Sequence, residues 1–239
     1  MKITYETLKT PLKKTYHFLL LSDLHSALPR GFLRTLSALT PDFIIMAGDM
    51  VDGSLQEAPQ MLSLLAGAAA IAPTYYATGN HEAFTDGDIE LITSLGIAFL
   101  DNNDSTYEEI RIGGLSSGFG HSKPFHKTPA PDLAFLDRFS SLDSYKLLIA
   151  HHPEWFPTYI KDRAIDLTLS GHAHGGQWRI AGRGIFAPGQ GLFPKYTSGL
   201  YTEGKSSLIV SRGLGSHSVI PRINNSPEIV VVTLEGIGT

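Results

Sequence analysis

Two histidines one residue apart stand in Ser170-Gly171-His172-Ala173-His174-Gly175-Gly176-Gln177, with glycines on both sides. In a strand their imidazoles would face opposite ways, and in a helix they would diverge. On a glycine-flanked turn both can reach one point, because glycine permits close backbone approach. Neutral imidazole is the commonest protein metal ligand. Four other polar groups join them: Asp23 with His25, Asp49, Asn80 with His81, and His151. Singly each has an ordinary explanation: Asp49 can cap a helix, Asn80 can sit in a turn, His151 can end a strand. Together they form a set of oxygen and imidazole donors suited to divalent transition ions. Eight such groups exceed the four of one tetrahedral site. They suit two ions about 3.5–4 Å apart sharing a carboxylate.

Each group follows a short apolar run, and those runs are the elements that must hold it. Tyr16–Leu21, Phe43–Ala47, 74–78, 146–150 and 165–169 read as buried strands that stop at the polar residues. Helical spacing over 31–39, from Pro59 to about 70, over 86–94 and over 132–139 alternates with them. Ile97 to Leu100 reads as a further strand. Strand–loop–helix repetition predicts a parallel α/β sheet whose ligands bind outside the carboxyl ends of the strands. Residues 107–112 alternate like one antiparallel strand, and 113–131 read as a Gly/Ser/Pro loop. A helix is expected over 154–160, a Gly-rich irregular run over 178–205, and late antiparallel-type strands over 207–211 and 228–234. The predicted architecture is α/β, a four-layer αββα sandwich of two mixed sheets flanked by helices, with residues 1–239 as one domain.

Composition limits the function. The 239 residues hold no cysteine, which excludes disulfides, thiolate metal sites and a cysteine nucleophile. Net charge is −4, against bulk attraction to nucleic acid, so no stable nucleic-acid partner is expected. The longest apolar stretch, 62–72, is broken by Ser63 and Gly67 and falls short of the ~20 residues of a membrane span. A disulfide-free chain with no such span predicts a cytoplasmic location.

The order Asp-x-His, Gly-Asp, Gly-Asn-His-Glu, His-x-Pro and Gly-His-x-His closely resembles the calcineurin-like metallophosphoesterases, from Asp23 to the C-terminus. The resemblance implies that Asp23, His25 and His174 bind a first ion and that Asn80, His151 and His172 bind a second, with Asp49 bridging. It implies a proton-donor role for His81, oriented by Asp52. The ions would be Mn²⁺, Fe or Zn²⁺, since imidazole-rich sites suit the softer metals. The reaction implied is in-line attack on a phosphodiester or phosphoanhydride by a hydroxide shared between the ions. Phosphomonoesterase and nucleotide pyrophosphatase activity are the alternatives. A non-catalytic scaffold would have lost ligand positions, and here every one is filled.

The protein-phosphatase branch carries arginine directly after the position of Asp52, and this chain has Gly53. The ending Gly-His-x-His-Gly-Gly-Gln resembles a bacterial phosphodiesterase branch instead. Its members are often membrane-associated and some cleave lipid-linked substrates. That implies a phosphorylated small molecule or lipid headgroup as substrate and leaves peripheral membrane association open. Residues 178–222 hold Arg179, Arg183, Lys195, Lys205, Arg212 and Arg222 against the single acid Glu203. A solvated basic face is one reading. In the sharper reading Lys195 and Arg212 grip the non-reacting part of an anionic substrate.

Overall fold

The computed structural model describes residues 1–118, 128–215 and 221–238. Apolar runs of four to six residues form the central strands, because a strand covered on both faces needs side chains apolar on both. In chain order the elements are β1 (Lys2–Thr10), β2 (Tyr16–Leu21), α1 (Phe32–Ala38), β3 (Phe43–Ala47), α2 (Gln60–Ile71), β4 (Thr74–Ala77), α3 (Asp86–Ser94) and β5 (Ala98–Phe99). A hairpin of β6 (Asn103–Tyr107) and β7 (Ile110–Gly114) follows, then α4 (Leu133–Ser140), β8 (Tyr145–Ile149) and β9 (Leu167–Ser170). Four two-residue strands come next: β10 (Arg179–Ile180), β11 (Arg183–Gly184), β12 (Phe186–Ala187) and β13 (Gly191–Leu192). The chain ends with β14 (Gly199–Glu203), β15 (Ser206–Val210) and β16 (Glu228–Gly236).

Two six-stranded sheets result, ordered β1-β16-β2-β3-β4-β5 and β14-β15-β9-β8-β7-β6. Both are mixed: β2, β3, β4 and β5 run parallel, while β16 is antiparallel to β2. Phe18, Leu20, Phe43, Ile45 and Ala47 from one sheet pack on Ile112, Leu147, Ile149, Leu167 and Leu169 of the other. Leu19, Leu21, Ile44 and Met46 point outward under Phe32, Leu36, Met61, Leu65 and Ile92 of the first three helices. Leu148, Ala150, Leu208 and Val210 lie under Phe135, Leu136, Phe139 and Phe156. The alternation of buried side chains between two faces gives the four layers expected.

Five local expectations change. The strand read over 107–112 is a hairpin that turns at Glu108 and Glu109, with Glu108 at φ +50°. Strand β15 pairs parallel with β9 and antiparallel only with β14. The helix expected over 154–160 is one π-helical turn, Phe156–Ile160, with proline in its first turn. Strand β1, absent from the sequence reading, is an edge strand parallel to β16; its outer positions are polar or half-exposed, so no apolar run marks it. The loop read over 113–131 begins one residue later than the end of β7, and 119–127 lies outside the described residues.

Candidate metal centre

The site is built at one rim, where β2, β3 and β4 of the first sheet and β8 and β9 of the second reach their carboxyl ends. Leucine and isoleucine fix the strands, and the first residues beyond them turn sharply. Asp23, His25, Asp49, His172 and His174 all adopt left-handed backbone, with φ between 44° and 64°. That region costs a non-glycine residue of order 1–2 kcal/mol, and such outliers concentrate at functional sites. Glycines supply the room. A Cβ at Gly79 would sit 2.1 Å from Asp49 Oδ1, and one at Gly171 would sit 2.5 Å from Asp23 Oδ2.

Asp23, His25 and His174 offer one ligand atom each within 4.8 Å of one another, and so do Asp49, His151 and His172. His174 Nε2 is 3.6 Å from Asp23 Oδ1 and 3.4 Å from His25 Nε2. His151 Nε2 is 3.1 Å from Asp49 Oδ2. Asp49 joins the groups, since its Oδ2 also lies 3.9 Å from His25 Nε2. Asn80 is buried beside Asp49: the next residue, His81, donates its backbone N–H to Asp49 Oδ1 at 2.9 Å. Asp23 Oδ2, Asp49 Oδ2, His151 Nε2 and His172 Nε2 are buried with no hydrogen-bond partner. A buried polar atom left bare costs about 1–3 kcal/mol. Ions accepting electron pairs would satisfy the Asp23, Asp49 and His151 atoms, while His172 Nε2 faces Glu154 Oε1 at 3.9 Å. The donors are oxygen and imidazole nitrogen, so these residues fit divalent transition ions.

Outer contacts aim the rings. His25 Nδ1 sits 2.7 Å from Asp52 Oδ1, and His151 Nδ1 sits 2.7 Å from the carbonyl of Ala47. Each outer N–H donates there and turns the lone pair at Nε2 toward the cluster. The backbone N–H of His172 donates to Asp23 Oδ1 at 2.9 Å, binding the second sheet to the first.

Charges follow from this crowding. Burial opposes ionisation of Asp49, yet His151 and His25 beside it hold its carboxyl well below the usual range. Burial likewise opposes a charge on His151, but Asp49 outweighs it and raises the imidazole to about 10. His172 is pushed far down by burial and by His152, and His174 falls to about 4, mainly by burial. Imidazoles that resist protonation keep a lone pair for an ion.

The remaining residues singled out in the sequence fall as follows. His81 stands on the rim with 20% of its side chain exposed, edge-on to His25 at 4.9 Å between ring centres. Asp52 lies 3.6 Å from His81 Nδ1, so its shorter contact is with His25 rather than with the histidine it was expected to orient. Lys195 turns its exposed ammonium to Glu203 at 2.5 Å. Arg212 Nε pairs with buried Glu228 at 3.3 Å. Among the described residues, Arg222 does reach the cluster: its Nη2 is 3.1 Å from His174 Nδ1.

Three residues that the sequence reading gave no site role also belong to the neighbourhood. Glu82, fully buried, accepts from the backbone N–H of Met50 at 2.7 Å and of Gly79 at 2.5 Å, and from the Tyr76 hydroxyl. Burial and Asp49 raise it to about 7. Its signal was the fourth place of Gly-Asn-His-Glu. His152 is buried against His172, ring centres 4.3 Å apart, and Glu154 lies beside both.

Residues 16–176 match the model of the calcineurin-like phosphoesterase family. An uncharacterized metallophosphoesterase of Campylobacter jejuni is 30% identical over 94% of this chain and 60% of its own length. Phosphodiesterase YaeI of Escherichia coli is 29% identical over 92% of this chain and 82% of its own. A transmembrane protein with a metallophosphoesterase domain from Danio rerio is 27% identical over 90% of this chain and 47% of its own. The chain spans about 60% of the length of several curated relatives it matches. No helix among the described residues is long and apolar enough to cross a membrane. With the family model covering the candidate ligands at three strand ends of the first sheet and two of the second, the chain belongs to the calcineurin-like phosphoesterases.

Proposed function

We propose that residues 1–239 form one catalytic domain that hydrolyses phosphodiester bonds with a pair of divalent ions. The observation that carries this is the meeting of two His/Asp groups through Asp49, with Asp23 Oδ2, Asp49 Oδ2 and His151 Nε2 buried and bare. Asp23, His25 and His174 would hold one ion, and Asn80, His151 and His172 the other, with Asp49 between them. Two such ions, when bound, neutralise phosphoryl oxygens and make water a nucleophile near neutral pH. The chain's own residues supply the rest. Asp52 and the Ala47 carbonyl fix the rings of His25 and His151. His81, on the rim, protonates the departing oxygen, a task imidazole suits. Asp52, 3.6 Å from its Nδ1, stabilises the charged ring before that transfer.

Similarity to phosphodiesterase YaeI supports a diester over a monoester substrate. Lys195 and Arg212 already hold carboxylate partners, so their part in gripping substrate requires those ion pairs to open. The test is metal analysis of the purified chain together with hydrolysis of bis-p-nitrophenyl phosphate and p-nitrophenyl phosphate. About two ions per chain and faster turnover of the diester are expected. A metal-free, inactive protein after supply of manganese and zinc overturns the reading, and faster turnover of the monoester overturns its diester part.

A further inference from the structure

We propose that Glu154 is a positioning residue for His172, accepting its outer N–H so that the other ring nitrogen stays free for the second ion; this rests on the dinuclear reading above. Two of the cluster's histidines, His25 and His151, have such an anchor within 2.7 Å. His172 Nε2 is buried with no hydrogen-bond partner, and Glu154 Oε1 faces it at 3.9 Å. A movement of about 1 Å closes that gap to a hydrogen bond.

The surroundings are arranged to keep the carboxylate there. The Thr128 hydroxyl donates to Glu154 Oε1. Trp155 Nε1 donates to the Pro129 carbonyl at 2.8 Å, holding the Thr128 segment against the turn that carries Glu154. A Cβ at Gly189 would sit 1.9 Å from Glu154 Oε1, so glycine leaves the carboxylate its place. On the other side His152 packs against the His172 ring, with its Nδ1 3.5 Å from the same oxygen. Glu154 Oε2 is buried and bare as well. A carboxylate on the outer nitrogen fixes the tautomer and raises ligand basicity, which explains an acid placed behind a histidine rather than among the ligands.

The test uses the full chain loaded with zinc, with stepwise affinities from competition with a chelator and the His172 tautomer from ¹⁵N chemical shifts. Glu154→Ala should weaken the second ion about 10–100-fold with the first unaffected. Glu154→Asp should recover most of that loss, and Thr128→Val should give a smaller loss in the same direction with the fold untouched. In the wild type His172 should carry its proton on Nε2. Unchanged second-ion affinity in Glu154→Ala, or a proton on Nδ1, overturns the proposal. Three zinc ions in the wild type falling to two in Glu154→Ala also overturn it, since Glu154 would then be a ligand. Failure of the dinuclear reading is distinct, because it appears in the wild type as fewer than two ions.

Discussion

At the scale of single residues, the proposed roles separate groups that would hold ions from groups that would handle protons. Asp49 touches both His/Asp groups, so Asp49→Ala should abolish both bound metal and hydrolysis. His81 contributes no atom to the Asp23 or Asp49 groups. His81→Ala should therefore keep its metal, measured by elemental analysis, while turnover of a diester falls about 10²–10⁴-fold. Full activity in either variant sinks the assignment. A pH dependence follows from His151. In the metal-free chain burial disfavours its charge, but Asp49 keeps the ring protonated up to about 10. An ion at Nε2 must displace that proton, so affinity should rise with pH throughout the range below that value, up to tenfold per unit for one proton. Manganese titrations by calorimetry at pH 6.5 and 7.5, in buffers of different ionisation heat, should register at least one proton released. An affinity indifferent to pH would remove this account.

At the scale of elements, the strand ends decide where ligands go, and glycine decides how near they come. Gly79 has ordinary backbone, so a substitution there tests space alone. Gly79→Ala sets a methyl 2.1 Å from Asp49 Oδ1 and 2.5 Å from Asp49 N. It should cost about 1–3 kcal/mol in urea unfolding and weaken metal binding together. A stable variant with normal metal content would show that the β3 and β4 turns have slack. These turns were legible in the sequence because each follows an apolar run and carries a ligand-type residue, as in Gly48-Asp49 after Phe43–Ala47. What the sequence hid lacks such a signature. Strand β1 gains its place from pairing with β16, over 200 residues away, and its half-exposed side chains show no run. The β6–β7 hairpin hid because residues 107–112 alternate like a single strand, so nothing marked the turn at Glu108 and Glu109. Glu154 looked like the start of a helix because its partner His172 is distant in sequence and meets it only through the β8 and β9 ends.

At the scale of the molecule, the centre is a seam between two sheets that are otherwise joined by an apolar core. The first sheet supplies Asp23, His25, Asp49 and Asn80, and the second supplies His151, His172 and His174. Bound ions should therefore stabilise the folded chain by mass action, about 2.7 kcal/mol when free metal is 100 times Kd. The far end of the same interface is held by hydrophobic packing, where Phe18 and Phe43 stack with ring centres 4.7 Å apart. Phe43 begins the strand that Asp49 follows, so the two lie about 15–20 Å apart along it. Effects at that separation add. Phe43→Ala should lower unfolding free energy by about 3–5 kcal/mol in the chelated protein. The increment from added zinc should survive within about 0.5 kcal/mol. Denaturant melts of wild type and variant, with and without zinc, measure all four corners of that cycle. If Phe43→Ala erased the zinc increment, the core would be setting the geometry of the rim directly, and the separation of the molecule into an apolar clamp and a metal seam would be wrong.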